Sequence, residues 1–224
     1  DTFNRVQSSL LRNIGCKTDC NTIVGTSTSS GKTITAELLM APVLESGKKV
    51  VYASPLKVLT QEKYDEWSKQ YPNKKVCILT GDYHDENQAD LLNVSDIICV
   101  TSELIDSRTR SKERKKIKWI KNTGLLIYDE SHIIDTNRGH AVESGLMRFT
   151  KLNPKSKVLF LSATLPNILD FQQWLTTLNG KPTRVINSKW RPTILNWSFT
   201  KHVKHPYRDA QQDKVSKTLS LVKQ

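Results

Sequence analysis

The chain has 224 residues, with 34 Lys or Arg against 22 Asp or Glu, a net charge of +12 and a pI near 9.5. That length suits one large α/β domain, or one domain plus an appendage, and it buries a core without disulfides or a structural metal. The basic surplus points away from an enzyme of small neutral metabolites and towards phosphate backbones, the alternative being a generically basic surface.

No stretch approaches the ~18 consecutive apolar residues of a membrane span, and no charged-then-apolar signal segment opens the chain. A soluble intracellular protein is expected, without membrane contact, in cytoplasm, nucleus or viral factory. Asp1 in place of an initiating Met suggests a piece of a longer protein, or a processed product. Cys16 and Cys20 are spaced C-x-x-x-C, but no second Cys/His pair follows to complete four zinc ligands. Cys77 and Cys99 sit in apolar runs, so reduced thiols are expected.

The elements alternate along the chain. Asn4 to Ile14 has helical spacing, and Thr22-Ile23-Val24 is a short β-branched strand. Thr35 to Leu44 predicts a helix, Lys49 to Ala53 a strand, Leu56 to Gln70 a helix and Val76 to Leu79 a strand. Glu86 to Leu92 predicts a short helix, followed by strands at Ile97 to Val100 and Leu125 to Tyr128. Ala141 to Phe149 is helical, Val158 to Leu161 a strand, Ile168 to Leu178 a helix and Thr183 to Ile186 a last strand. Short apolar strands without alternation, separated by helices, predict a mostly parallel sheet covered on both faces. Such sheets bind ligands beyond the carboxyl ends of their strands. After Trp190-Arg191-Pro192 the pattern breaks down, and 193–224 is expected to be a linker or extension.

Three polar motifs follow strands. Gly25-Thr26-Ser27-Thr28-Ser29-Ser30-Gly31-Lys32-Thr33 leads from a strand into a helix, the context of a phosphate-binding loop. Its backbone N–H groups and the helix N-terminus attract anionic oxygens. Lys32 can reach the β- and γ-phosphates of ATP, and the Thr33 hydroxyl can ligate Mg²⁺. The strict pattern G-x-x-x-x-G-K-[ST] asks for Gly where this chain has Thr26. The strand at Leu125 to Tyr128 ends in Asp129-Glu130-Ser131-His132. Asp129 is expected to hold Mg²⁺, and Glu130 to take a proton from the water attacking the γ-phosphate. Ser162-Ala163-Thr164 follows the next strand, with two hydroxyls placed to sense that phosphate.

The ordered set Gly-Lys-Thr, Asp-Glu-x-His and Ser-Ala-Thr resembles the superfamily 2 helicases of DExH type, in the Ski-like group. Phe3-Asn4-Arg5-Val6-Gln7 resembles that group's Q-type motif, which implies that Gln7 reads adenine. Ser54-Pro55-Leu56-Lys57, then Gln61-Glu62-Lys63 and Trp67, resembles motif Ia; Thr80-Gly81-Asp82 resembles motif Ib; Thr101-Ser102-Glu103 stands where a Thr-Thr-Pro-Glu segment is usual. Arg138-Gly139, Leu165-Pro166-Asn167 and Trp190-Arg191-Pro192 also match. Departures are Ser29 in place of Gly or Ala, Ser131 as third letter of the acidic box, and the missing Pro after Ser102.

The resemblance covers about residues 3 to 192 and implies a RecA-like ATP-binding domain over 1–192. It implies that Thr26 to Thr33 surround ATP, and that His132, Ser162 and Thr164 couple hydrolysis to movement. Pro55, Lys57, Thr80, Gly81, Thr101 and Ser102 are the implied backbone contacts to a single strand or duplex junction of DNA or RNA. A second RecA-like domain of the same parent would complete the site, with 3′ to 5′ movement and a weakly active isolated domain. A duplex translocase and a non-catalytic scaffold are the competing readings. Arg108 to Lys121 holds eight Lys or Arg and one acid, Glu113, and is either a phosphate-binding stripe or a solvated helix face anchored by Trp119 and Ile120.

Overall fold

The computed structural model describes residues 3–13, 18–27, 30–81, 88–136, 139–163, 165, 167–188 and 190–191. The chain runs through α1 (Arg5–Asn13), β1 (Asn21–Thr26), α2 (Lys32–Glu45), β2 (Lys49–Ser54) and α3 (Lys57–Gln70). It continues through β3 (Val76–Leu79), α4 (Gln88–Val94), β4 (Ile97–Thr101), α5 (Ser102–Thr109), α6 (Arg114–Lys121) and β5 (Thr123–Tyr128). A 3-10 turn at Ser131–Asp135 leads to α7 (Gly139–Leu152), β6 (Lys157–Ser162), α8 (Ile168–Asn179) and β7 (Thr183–Ser188).

The strands form a seven-stranded sheet in the order β3-β4-β2-β5-β6-β1-β7, and every pairing is parallel. Both faces are apolar because both are covered. Along β5, Leu125 and Ile127 pack into the core with α1, α2 and α3, whereas Leu126 and Tyr128 face the core beneath α4 to α8. Phe160 of β6 anchors the second core, edge-on to Tyr128 and to Phe171 of α8. The expected α/β architecture with helices on both faces is thus observed, and the sheet is parallel throughout the described strands.

Some boundaries move. α2 starts at Lys32 rather than Thr35, because the phosphate-loop lysine already belongs to its first turn. α5 has no counterpart in the sequence reading: its apolar pair, Leu104 and Ile105, is too short to show a period. The expected short helix at Glu86 becomes α4, and residues 82–87 lie outside the described set. So do Cys16, Thr28, Ser29, Arg138, Thr164, Pro166, Pro192 and the expected extension at 193–224. Cys20, Cys77 and Cys99 are buried free thiols. Among the described residues no helix is long and apolar enough to cross a membrane.

Candidate functional site

Strand order sorts the candidate residues into two halves of one sheet edge. The carboxyl ends of β5, β6 and β1 carry Asp129-Glu130, Ser162 and the phosphate loop. The adjacent carboxyl ends of β2, β4 and β3 carry Pro55-Lys57, Thr101-Ser102 and Thr80-Gly81. The boundary runs between β2 and β5.

The phosphate loop is braced from inside. The hydroxyls of Thr26 and Ser30 share a 2.7 Å hydrogen bond, and both residues are buried. Thr26 is the last residue of β1, in strand conformation, so the site where the strict motif asks for glycine needs no glycine here. Lys32 Nζ donates to the carbonyls of Thr26 at 3.0 Å and Ser27 at 3.2 Å, curling over the loop. Burial lowers its pKa, against the opposing pull of Glu130 and Asp129. Ser27 Oγ donates to the Trp190 carbonyl at 2.7 Å, tying the loop to the segment after β7.

α1 covers the loop. Asn4 Nδ2 donates to the Ser30 carbonyl at 2.9 Å, and Gln7 is buried with its Oε1 accepting from the Asn4 backbone N–H at 2.9 Å. Gly31 is left-handed, with φ 86°, and a Cβ there would come within 2.5 Å of Gln7 Nε2 and 2.8 Å of Asn4 Nδ2. The left-handed backbone calls for glycine, and a side chain there would also push the Gln7 and Asn4 amides off the loop. Gln7 thus stands against the loop itself.

The acidic pair ends β5. Asp129 N donates to the Ala53 carbonyl of β2 at 2.9 Å, and Asp129 Oδ1 accepts from Glu130 N at 2.9 Å. Tyr52 of β2 donates its hydroxyl to Asp129 Oδ2 at 2.7 Å. Burial, then the Asp129 charge, pushes the Tyr52 phenol far above its ordinary range, so it stays a donor. Glu130 has φ 48°, the one positive φ among described non-glycine residues. Such a conformation costs on the order of 1–2 kcal/mol, and strain of this kind concentrates at functional sites. His132 Nδ1 lies 3.2 Å from Glu130 Oε2. Ser131 is buried, and its Oγ donates to the Leu161 carbonyl of β6 at 3.2 Å.

These groups share one cleft of about 430 Å³, lined by Gly31, Lys32, Thr33, Tyr52, Asp129 and Glu130 together with Glu62 and Lys63 of α3. Thr33 and Asp129 offer hard oxygen donors, the kind Mg²⁺ takes while keeping waters and phosphate oxygens as its other ligands. Ser162 is buried at the end of β6, opposite Gly25 of β1. Tyr52 lies inside an apolar run and carries no motif signal in the sequence, and Glu62 and Lys63, which belong to the motif Ia resemblance, also line the cleft wall.

On the other half of the edge, Lys57 and Gly81 are exposed, and Leu56 and Val58 beside Lys57 are exposed apolar side chains. Pro55, Thr80, Thr101 and Ser102 are buried, and the Ser102 hydroxyl has no hydrogen-bond partner. The side chains of Thr101 and Ser102 therefore do not reach the surface.

The basic segment lies elsewhere. α6 ends just before β5 begins, and Asn93 Nδ2 of α4 donates to the Lys115 carbonyl at 3.3 Å next to the start of β4. Ile117, Trp119 and Ile120 are buried, and Lys115, Lys118 and Lys121 are exposed. This is the solvated helix face, at the amino ends of the strands.

A family model described as DEAD/DEAH box helicase matches residues 4–171. The chain is 37% identical over 183 residues to the ATP-dependent DNA helicase Hel308 of Methanocella arvoryzae, covering 78% of this chain and 23% of that protein. It is 32% identical over 176 residues to the ATP-dependent RNA helicase mtr4 of Schizosaccharomyces pombe, covering 77% of this chain and 14% of the relative. It is 31% identical over 201 residues to activating signal cointegrator 1 complex subunit 3 of Rattus norvegicus, covering 86% of this chain and 9% of the relative. The chain thus spans less than a quarter of each of these relatives. Among solved structures, DUF1998 helicase MrfA bound to DNA and AMPPNP shares the fold, with a TM-score of 0.68 at 18% identity over 83% of this chain and 27% of that one. By the family match and these relatives, the chain belongs to the DEAD/DEAH box helicase family, in its Ski-like group.

Proposed function

We propose that residues 1–192 are the first RecA-like motor domain of an ATP-dependent nucleic-acid helicase, joined through 193–224 to a second RecA-like domain of the same parent. The observation that carries this reading is the convergence of Gly31, Lys32, Thr33, Asp129 and Glu130 on one cleft. That set has a cation for phosphate charge, two oxygen donors for a metal and a carboxylate base.

In this reading Lys32 exchanges its hydrogen bonds to Thr26 and Ser27 for the β- and γ-phosphates, its charge meeting theirs. Thr33 and Asp129 would hold Mg²⁺, which would supply positive charge to offset that of the phosphates. Glu130, oriented by the left-handed turn and by His132, accepts the proton of the attacking water. Thr26, Ser27 and Ser30 complete the cradle, Thr28 and Ser29, outside the described residues, are the remaining ATP-binding positions of the loop, and Gln7 contributes from α1. Ser131 ties the acidic pair to β6, which ends in Ser162. Ser162, with Thr164 outside the described residues, is the position that couples the state of the γ-phosphate to movement.

The β2-β4-β3 half of the edge receives the nucleic-acid backbone, through Lys57, the Gly81 N–H and the main chain of the β4-α5 junction at Thr101-Ser102. Spanning two inter-strand gaps, this half is ~10 Å wide. Backbone contacts suit a motor that moves along any sequence. Hel308 and mtr4 are named for DNA and RNA helicase activity respectively, which supports nucleic acid as the track without choosing between the two. Steady-state ATPase of the two-domain parent, with and without single-stranded DNA or RNA, tests this. Stimulation by nucleic acid that Lys32→Ala abolishes is expected, and turnover indifferent to nucleic acid would count against it.

A further inference from the structure

The bond between Tyr52 and Asp129 lies on the border between the two halves of the site, and no motif assigned to either half includes Tyr52. We propose that Tyr52 is a positioning residue for Asp129: its hydroxyl holds the carboxylate in the orientation that receives a divalent cation beside a bound nucleotide. The inference rests on the proposed ATP site and adds one residue to it.

The geometry is specific. Tyr52 pairs with Ile127 in the β2·β5 register, two residues before Asp129, so its ring runs up the sheet and delivers the hydroxyl to the cleft. Among the described residues each carboxylate oxygen of Asp129 has one protein donor: Tyr52 at 2.7 Å on Oδ2, and Glu130 N at 2.9 Å on Oδ1. Two donors on opposite oxygens fix the carboxylate torsion, which would otherwise turn freely. An ionised carboxylate has about four acceptor sites, so lone pairs remain for a cation. A phenol is also a neutral donor. Lys or Arg at this place would cancel the charge that attracts the metal; Tyr52 orients Asp129 and leaves its charge intact.

Tyr52 is itself held. Its ring packs edge-on against Trp67 of α3, with centroids 5.2 Å apart and planes at 86°. Trp67 Nε1 donates to Glu37 Oε1 of α2 at 3.0 Å. α2 is the helix that opens with Lys32 and Thr33. A continuous chain of contacts, Glu37 to Trp67 to Tyr52 to Asp129, therefore sets the acidic carboxylate relative to the phosphate loop. Groups that orient a metal ligand typically change metal affinity by about 10–100-fold when removed.

Equilibrium titration of a fluorescent ATP analogue into the 224-residue chain, in excess Mg²⁺ and in EDTA, tests the inference. The ratio of the two affinities measures how strongly Mg²⁺ assists binding. Tyr52→Phe keeps the ring and its packing on Trp67 and removes only the hydroxyl. The ratio is expected to fall by about tenfold, with affinity in EDTA changed less than about twofold. A double-mutant cycle with Asp129→Asn separates positioning from general loosening: the effect of Tyr52→Phe on the ratio should vanish once Asp129 is neutral. An unchanged or larger ratio in Tyr52→Phe, or an equal effect in the Asp129→Asn background, overturns the inference while leaving the ATP site standing. If the wild-type chain shows no Mg²⁺-assisted binding, the proposed site itself fails, and the inference with it.

Discussion

Ser131 Oγ donates to the carbonyl of Leu161 at 3.2 Å, joining the acidic box after β5 to the strand that ends in Ser162. Ser131 is 1% exposed, so this bond is sealed from water. A net buried hydrogen bond is worth about 1 kcal/mol. Ser131→Ala should lower the free energy of unfolding by that amount, read as a lower urea midpoint at an unchanged slope of the transition, and an unaltered midpoint would show the bond to be dispensable.

Gly31 and Gly180 both have positive φ, 86° and 74°, but only Gly31 is crowded. An Ala at Gly180 meets nothing within 4 Å, whereas one at Gly31 meets the Gln7 and Asn4 side chains. Gly180→Ala should cost about 1 kcal/mol from backbone strain alone. Gly31→Ala should cost at least as much and should also weaken nucleotide binding, because the Gln7 and Asn4 amides must swing away from the loop, breaking the Asn4 bond to the Ser30 carbonyl. Chemical denaturation of both variants beside a nucleotide titration separates the strain from the clash.

The lysines of α6 should not matter to the nucleic-acid track. β5 has six residues, so its two ends lie ~20 Å apart at ~3.3 Å per residue. Electrostatic reach at 0.15 M salt is about 8 Å. Reversing Lys115, Lys118 and Lys121 together to Glu should shift single-strand affinity of the parent less than about twofold under those conditions. Lys57→Glu should weaken it several-fold and lower the salt slope by about one. Fluorescence anisotropy across a salt series reads both, and the reverse ranking would move the track to the amino ends of the strands.

Alkaline pH should unfold the chain. Burial pushes the Tyr52 and Tyr128 phenols above their ordinary value of 10, and the Cys77 and Cys99 thiols above 9. A raised group contributes stability that is complete below its unfolded pKa and is lost as pH climbs past it. Burial lowers Lys32 and Lys49 below 10.5, which adds stability with rising pH, but only up to 10.5. Beyond that value the opposing contribution is spent, and each group still protonated only in the folded state removes about 1.4 kcal/mol per pH unit. Urea midpoints should therefore fall steeply above about pH 10.5. The fall should be shallower in Tyr128→Phe, which removes one such group outside the nucleotide cleft.

Much of the fold was legible because each strand is a short apolar run with a polar motif at its end, and a parallel sheet puts those ends side by side. Position along the edge was not legible. Strand order depends on crossovers between distant segments, so nothing local shows that β2 lies against β5 rather than β1. That adjacency brings Tyr52 to Asp129. In the sequence Val50-Val51-Tyr52-Ala53 is one more buried strand, and the tyrosine counts as an apolar residue. Ser131 was visible as a departure from the family pattern, but its partner Leu161 lies on a strand thirty residues away. The burial of Thr101 and Ser102 was hidden for a related reason: the unread helix α5 starts directly at Ser102 and turns both side chains inward.

The central claim is that Glu130 is the base of an ATP hydrolysis site built on Lys32, Thr33 and Asp129. Single-turnover hydrolysis of ATP by the two-domain parent, measured together with nucleotide affinity, tests it most directly. Glu130→Gln should reduce the hydrolysis rate by at least about a hundredfold while ATP binding stays within a few-fold of the wild type. Hydrolysis at the wild-type rate in Glu130→Gln would contradict the account.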